Sequence, residues 1–255
     1  MNKLPQITLA FWVMKICATT LGETAGDLLS MTLDVGYLVS SLILISVFVV
    51  TLITQLASRR YNPALYWLVI LSTSTAGTTM SDFMDRTLGL GYATGSAILI
   101  AILLSIFSVW YLSEKSLSVS RVTTLKTELF YWFAILFSNT LGTALGDFLA
   151  DDSGLGFMGG ALLIGSAIAV VVLLHYTTRL SSVALFWIAF VLTRPFGATL
   201  GDVLTKPHEK GGLDFGTAGS SLVLLGILVL LVGAAMFYHR KPTRTYEQID
   251  DREAA

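Results

Sequence analysis

Long apolar segments alternate with short polar turns along most of the chain. Each apolar segment is about 20 residues long, which is the length of α-helix needed to cross the hydrocarbon core of a bilayer. We therefore predict eight transmembrane helices and an all-α polytopic membrane protein. The predicted helices span 7–29, 36–57, 64–84, 91–112, 129–149, 156–175, 183–204 and 215–238.

The predicted helices form four copies of one two-helix unit. In each copy the first helix contains a tryptophan, a glycine ten residues later and an aspartate five residues after the glycine. The four frames are Trp12–Gly22–Asp27, Trp67–Gly77–Asp82, Trp132–Gly142–Asp147 and Trp187–Gly197–Asp202. The units cover 8–57, 64–112, 129–175 and 183–238 of a single membrane domain, residues 1–255. Because every unit has two spans, the four units are expected to be parallel repeats.

The odd-numbered helices have a polar face. Counting back from Asp27 in steps of four residues gives Glu23, Thr19 and Lys15, and residues four apart share a helix face. A stripe of glycine and serine lies beside this face in the four frames and would let helix backbones approach closely. We predict that the odd-numbered helices lie inside and enclose a polar interior, and that the apolar even-numbered helices form an outer, lipid-facing ring.

The four aspartates and Glu23 are candidate ion-binding residues. Converging carboxylates suit hard cations such as Mg²⁺, Mn²⁺ and Ca²⁺, and crowded buried carboxylates also exchange protons. The candidate metal ligands are Asp27, Asp82, Asp147 and Asp202. Asn139 is a further candidate on the polar face. The alternative is structural, because each aspartate lies near a predicted helix end, where it can act as a cap or reach water.

Lys15 and Arg194 are the basic residues predicted to lie at membrane depth. We favour a structural ion pair between each of them and a carboxylate, and the alternative is that they bind an organic anion. Pro195 follows Arg194 and is expected to kink or unwind its helix, because proline lacks the backbone N–H. The four tryptophans are predicted to anchor the helices at one membrane interface.

Basic residues set the predicted orientation. With the N-terminus inside, only Arg86, Lys206 and Lys210 lie in outer turns, and the other loop and terminal Lys and Arg residues lie inside. Both termini are therefore predicted to be cytoplasmic, with the aspartates near the outer ends of their helices. The polar segment 241–255 is predicted to be a disordered cytoplasmic tail.

Composition and motifs exclude several classes of protein. A net charge of −1 gives no reason to expect a nucleic-acid partner. The single cysteine, Cys17, excludes an intramolecular disulfide. No phosphate-binding loop or nucleophile motif is present, so we expect no enzyme activity, no catalytic residue and no cofactor. The expected partners are the lipid bilayer and a small inorganic cation or proton, and the sequence leaves a homo-oligomer open.

The four Trp–Gly–Asp frames, over roughly residues 8–240, resemble those of a family of bacterial integral membrane proteins. Its members contain four tandem two-helix repeats of unknown function and are described as uncharacterised membrane-anchored proteins. The resemblance implies a bacterial inner-membrane location and supplies no activity. From the residues, we expect a transporter or channel for a divalent metal ion or a proton-coupled cation. The alternatives are a non-transporting scaffold or sensor with structural polar residues, and an organic-anion transporter that uses Lys15 and Arg194.

Overall fold

The computed structural model describes residues 3–240, and over these residues it contains eight long α-helices and no strand. The helices are α1 (Leu9–Asp27), α2 (Tyr37–Ala57), α3 (Pro63–Asp82), α4 (Tyr92–Glu114), α5 (Leu125–Asp147), α6 (Gly156–Thr177), α7 (Ser182–Thr205) and α8 (Thr217–Arg240). The all-helical class is confirmed. The predicted cytoplasmic tail at 241–255 lies outside the described residues.

Within the described residues, six helices are long and apolar enough to cross a membrane, which indicates a membrane protein. They are α2, α4, α5, α6, α7 and α8. The other two have the most polar sequences of the odd-numbered helices, since α1 contains Lys15, Glu23 and Asp27 and α3 contains a run of hydroxyl residues, Ser72–Thr75. Their polar side chains need surroundings made of protein or water.

The four odd-numbered helices pack into a closed ring. Helix α1 contacts α3 and α7, and α5 completes the ring by contacting α3 and α7. The glycine of each frame lies at one of these contacts. A Cβ atom at Gly22, Gly77, Gly142 or Gly197 would come closer than 3.0 Å to an atom of the neighbouring odd-numbered helix. The repeated glycine therefore sets the close approach of every pair of neighbours in the ring.

Each even-numbered helix packs against the odd-numbered helix of the following repeat. Helix α2 packs on α3, α4 on α5, α6 on α7, and α8 returns to α1. Only 17–28% of the most apolar stretch of each even-numbered helix is buried, compared with 72% for α5 and 56% for α7. The exposed surface of the molecule is therefore rich in Leu, Ile and Val from the even-numbered helices.

The turns after the aspartates follow one pattern in three repeats. A π-helical turn extends α1, α3 and α5, at Leu28–Thr32, Phe83–Thr87 and Phe148–Asp152. A glycine with positive φ then starts the next helix, as at Gly36 (+79°) and Gly91 (+71°), where a side chain would be strained. The fourth turn is longer and contains a 3₁₀ turn at His208–Lys210 instead.

The tryptophans lie where the odd-numbered helices begin, which we call the aromatic end of the ring. The residue before each tryptophan is also aromatic and packs on the tryptophan of the next odd-numbered helix. The ring centroids are 5.6 Å apart for Phe11–Trp67, 5.5 Å for Tyr66–Trp132, 6.1 Å for Tyr131–Trp187 and 5.7 Å for Phe186–Trp12. We call these eight side chains the aromatic collar.

The prediction that the tryptophans anchor the helices at an interface is wrong for three of them. Trp67, Trp132 and Trp187 are only 1%, 0% and 5% exposed, whereas Trp12 is half-buried. The physical reason is that the aromatic residue before each tryptophan fills space between neighbouring helices, so that the indole is drawn into the same contact.

Candidate functional site

Asp27, Asp82 and Asp147 are the last residues of α1, α3 and α5, and Asp202 lies in the last turn of α7, so all four lie at the end of the ring opposite the aromatic end. We call this the carboxylate end. Their exposed fractions are 3% for Asp27, 2% for Asp82, 4% for Asp147 and 3% for Asp202. Burial of four carboxyl groups at one end of a bundle requires compensating charges or protons nearby.

Glu23 joins the aspartates from one turn deeper in α1. One carboxylate oxygen from each of Glu23, Asp147 and Asp202 lies within 4.8 Å of the others, and all three residues are buried. That spacing allows one cation to contact three carboxylates. Asp27 and Asp82 lie beside this group, because Asp27 shares a basic partner with Asp202 and Asp82 shares one with Asp147. We call these five residues the carboxylate cluster.

Two basic side chains close the carboxylate end. Arg86 Nε lies 2.9 Å from Asp82 Oδ1, and Arg86 Nη2 lies 3.3 Å from Asp147 Oδ2. Lys206 Nζ lies 3.1 Å from Asp202 Oδ1 and 3.2 Å from Asp27 Oδ2. Each base therefore pairs with the aspartate of its own helix and with that of the next helix in the ring.

Arg86 and Lys206 were not among the predicted site residues. The sequence does carry a signal for them, because each lies four residues after an aspartate, at the spacing that favours ion pairs on a helix. Burial opposes the charge on Lys206, but Asp202 and Asp27 outweigh it and raise the pKa of Lys206 above its usual range. Lys206 is therefore a positively charged side chain at the carboxylate end of the ring.

Arg194 lies at the centre of a hydrogen-bonded layer below the aspartates. Its Nη2 lies 2.9 Å from Glu23 Oε2 and donates to the hydroxyls of Thr78 and Thr143, each at 2.6 Å. Both hydroxyls also lie 3.3 Å from Glu23 Oε2. The geometry matches the favoured interpretation of Arg194 as an ion-pair partner, and four helices meet in this one network.

Polar atoms without partners remain in this region. Arg194 Nε and Nη1 and Asp82 Oδ2 are buried and have no hydrogen-bond partner within residues 3–240. An unsatisfied buried group costs about 1–3 kcal/mol, and more when it is charged. The interior of the ring therefore favours water or a small ligand that supplies the missing contacts.

Lys15 differs from Arg194, and its predicted ion pair with a carboxylate is wrong. Its Nζ lies 3.3 Å from Asn139 Oδ1 and 4.3 Å from the centre of the Phe190 ring, and the described residues place no carboxylate within 4.0 Å of it. The side chain is fully buried. Lys15 precedes Glu23 by eight residues, about 12 Å along the helix at 1.5 Å per residue, which is too far for contact.

Asn139 orients this deeper layer. Its amide nitrogen donates to Thr73 Oγ1 at 2.9 Å, which leaves its carbonyl oxygen directed at Lys15. Helix α7 passes the same level and is helical from Ser182 to Thr205 with Pro195 inside, so the predicted unwinding does not occur. Close packing of Gly142 against Arg194 and Pro195 holds this part of α7 in place.

Comparison with known protein families gives an independent view of the repeats. The model of a family described as a repeat of unknown function, DUF347, matches residues 10–61, 65–116, 130–181 and 185–241. The chain belongs to this family. No curated protein and no solved structure matches the chain. Each DUF347 repeat comprises one odd-numbered helix and the even-numbered helix that follows it.

Proposed function

We propose that this DUF347 protein moves a small cation, either a divalent metal ion or a metal ion coupled to protons, across a bacterial inner membrane. The observation that supports this most strongly is the approach of Glu23, Asp147 and Asp202, whose carboxylate oxygens lie within 4.8 Å of one another in a buried layer. Oxygen ligands of this kind are preferred by Mg²⁺, Mn²⁺ and Ca²⁺. The unpaired Asp82 Oδ2 offers a further oxygen nearby.

In this proposal all eight helices cross the membrane. The even-numbered helices form the lipid-facing outer ring, in agreement with their exposed apolar side chains. The odd-numbered helices form the inner ring, which shields the polar faces of α1 and α3 from lipid. The basic loops place both termini in the cytoplasm, so the carboxylate end faces outward.

Arg86 and Lys206 act as internal competitors for the transported ion. Each of them pairs with two aspartates in the present arrangement. A divalent cation that binds these carboxylates replaces the basic side chain, which can turn toward water because Arg86 and Lys206 are 34% and 24% exposed. The carboxylates therefore have positive charge beside them whether or not a cation is bound.

The aromatic end is closed in this arrangement. The aromatic collar fills the ring, and the buried side chain of Lys15 lies between it and the carboxylate cluster. Passage of a cation therefore requires the collar to open and the Lys15 side chain to move. Movement of one pair of repeats against the other would achieve this, as in transporters built from repeats.

The direct test is flux in proteoliposomes containing the purified protein, with Mn²⁺ as the probe ion and internal pH recorded in parallel. We expect Asp147→Asn combined with Asp202→Asn to abolish Mn²⁺ uptake. Asp152→Asn, which removes an exposed carboxylate five residues after Asp147, is the matched control and should keep normal uptake. Uptake by the double variant at the normal rate would contradict the proposal.

A structural role for the cluster is the second candidate, because every aspartate of the four already has a basic partner. It predicts that the wild-type protein moves neither Mn²⁺ nor protons, and that the double variant loses thermal stability in detergent only. Transport of an organic anion has one observation in its favour, the unpaired Arg194 Nε and Nη1. It predicts thermal stabilisation by small carboxylates that Arg194→Met abolishes.

A further inference from the structure

A cleft of about 620 Å³ lies between α1, α6 and α7 on the outside of the ring. Trp12 and Ile16 of α1 form one wall, and Val172 and His175 of α6 form the opposite wall. Helix α7, including Ala189, forms the third wall of the cleft. Apart from Thr193, the polar side chains lie at the aromatic end, and the rest of the cleft is apolar.

The repeats explain why the cleft exists. In the second repeat, Phe107 and Trp110 of α4 lie 25 and 28 residues after Asp82, and their rings cover Trp187 at 4.9 and 5.7 Å. The corresponding residues of α6 are Val172 and His175, which are smaller. Trp12 is the collar tryptophan that they face, and it is half-buried whereas Trp187 is buried. The third repeat therefore leaves open a space that aromatic side chains fill in the second.

We infer that this cleft binds one acyl chain of an anionic phospholipid. The α7 wall runs from Ser182 to Thr193, about 16 Å at 1.5 Å per residue, which is roughly half of a bilayer core of about 30 Å. An acyl chain of a single leaflet has that length and the matching apolar surface. This inference rests on the membrane placement proposed above, and it does not depend on cation transport.

The polar end of the cleft fits an anionic headgroup. Ser118, Ser120 and His175 line it. Two exposed arginines adjoin these residues in sequence, Arg121 directly after Ser120 and Arg179 four residues after His175. Basic residues beside a membrane attract anionic lipids. The charge at this end therefore complements a phosphodiester group, and the apolar part accepts the chain attached to it.

The test is quenching of tryptophan fluorescence in the full-length protein by phosphatidylglycerol that carries bromine on its acyl chains. The signal of Trp12 is obtained as the difference between wild type and Trp12→Phe. We expect this signal to be quenched saturably, at about one lipid per protein. Brominated phosphatidylcholine should bind at least about tenfold more weakly, because it lacks the net negative charge. Equal binding of the two lipids would overturn the headgroup assignment.

Filling the cleft provides the second arm of the test. Val172→Phe combined with His175→Phe copies the bulk of the second repeat and should abolish the saturable quenching. Leu230→Phe, at an exposed position of α8 that does not line the cleft, is the control and should leave it unchanged. Quenching that persists in the filled variant, or that rises linearly without saturation in wild type, would show general lipid contact and overturn the inference. If the filled variant does not fold, the wild-type saturation curve still decides.

Discussion

The four repeats place matching residues at both ends of the ring, but the contacts that these residues make differ between the two ends. At the aromatic end every repeat supplies the same pair, an aromatic residue followed by tryptophan, and the four contacts are alike. At the carboxylate end every repeat supplies an aspartate, but only the second and fourth repeats supply a base, Arg86 and Lys206. The first and third repeats have Met31 and Asp151 at that position.

This difference shows which interactions tolerate repetition. Identical apolar contacts can be repeated around a ring, because van der Waals attraction between like groups does not turn into repulsion as it does between like charges. Four buried carboxylates repel one another, and the repulsion decreases when neighbouring pairs share a cation. The carboxylate end is therefore twofold, with Asp82 and Asp147 on Arg86 and with Asp202 and Asp27 on Lys206.

Arg194→Ala should be the most damaging change, because it leaves the buried Glu23 without its ion-pair partner. Loss of one partner of a buried pair costs about 3–5 kcal/mol of unfolding free energy. Thermal unfolding in detergent measures the effect. Arg179→Ala, at an exposed position, should have no measurable effect, and adding Glu23→Gln to Arg194→Ala should restore part of the loss. A double variant as unstable as the single one would contradict the charge argument.

Gly77→Ala should disturb the ring contact between α3 and α5. The added Cβ would lie 2.9 Å from the backbone of Asn139 and Thr140, which cannot move aside as a flexible side chain can. Overpacking of this kind costs about 1–3 kcal/mol. Gly226→Ala on α8 is the control, since a Cβ there meets nothing within 4 Å, and it should be neutral or slightly stabilising. Equal effects of the two changes would argue against a tightly packed ring.

Lys206→Met should increase the affinity of the carboxylate cluster for divalent cations. It removes the charge shared by Asp27 and Asp202, so that an added Mn²⁺ ion no longer competes with it. We expect Mn²⁺ to stabilise the variant at several-fold lower concentration than wild type, as read from thermal unfolding curves. Lys210→Met, in the same turn and exposed, should respond like wild type. If the same Mn²⁺ concentration stabilises Lys206→Met and wild type, Lys206 does not compete with the metal ion.

Tyr66→Phe should have the smallest effect, because the collar depends mainly on ring packing. The change removes the 2.7 Å hydrogen bond to the Tyr131 hydroxyl and leaves that group unpaired, at a cost of about 1 kcal/mol. Removing both hydroxyls, with Tyr66→Phe and Tyr131→Phe together, should cost less than the single change. Chemical denaturation of Tyr66→Phe, Tyr131→Phe and the double variant separates these outcomes. A loss in the double variant equal to the sum of the two single losses would contradict this prediction, because it would mean that the two hydroxyls do not stabilise each other.

The helices and the close approach of the odd-numbered ones follow from local pattern. Apolar length predicts the spans, and the step of four residues from Asp27 to Glu23 predicts a shared polar face. The glycine frame predicts close helix contacts, which the structure places at every junction of the ring. Side chains on one helix can be ordered in this way because 3.6 residues complete each turn whatever the surroundings.

Contacts between helices were predicted less well. Three of the four tryptophans are buried, because each packs on an aromatic residue from a different repeat, and a hydropathy pattern does not show which helices become neighbours. Lys15 was expected to have a carboxylate partner, yet the carboxylates of all four odd-numbered helices lie too far along the ring axis, so Asn139 and Phe190 are its partners instead. Arg194 contacts the Glu23 carboxylate and Lys15 does not, because Arg194 lies one helical turn closer to Glu23 along the ring axis.

Spacing along one segment predicts an all-helical chain, four repeats, eight long helices and the register of the aspartates. Only the tertiary arrangement shows that α8 packs back on α1, that Arg86 and Lys206 each join two repeats, and that the third repeat leaves a cleft beside Trp12. These features depend on which helices are neighbours and on the few ångströms that a side chain can reach, and neither quantity is encoded in the spacing of residues within one helix.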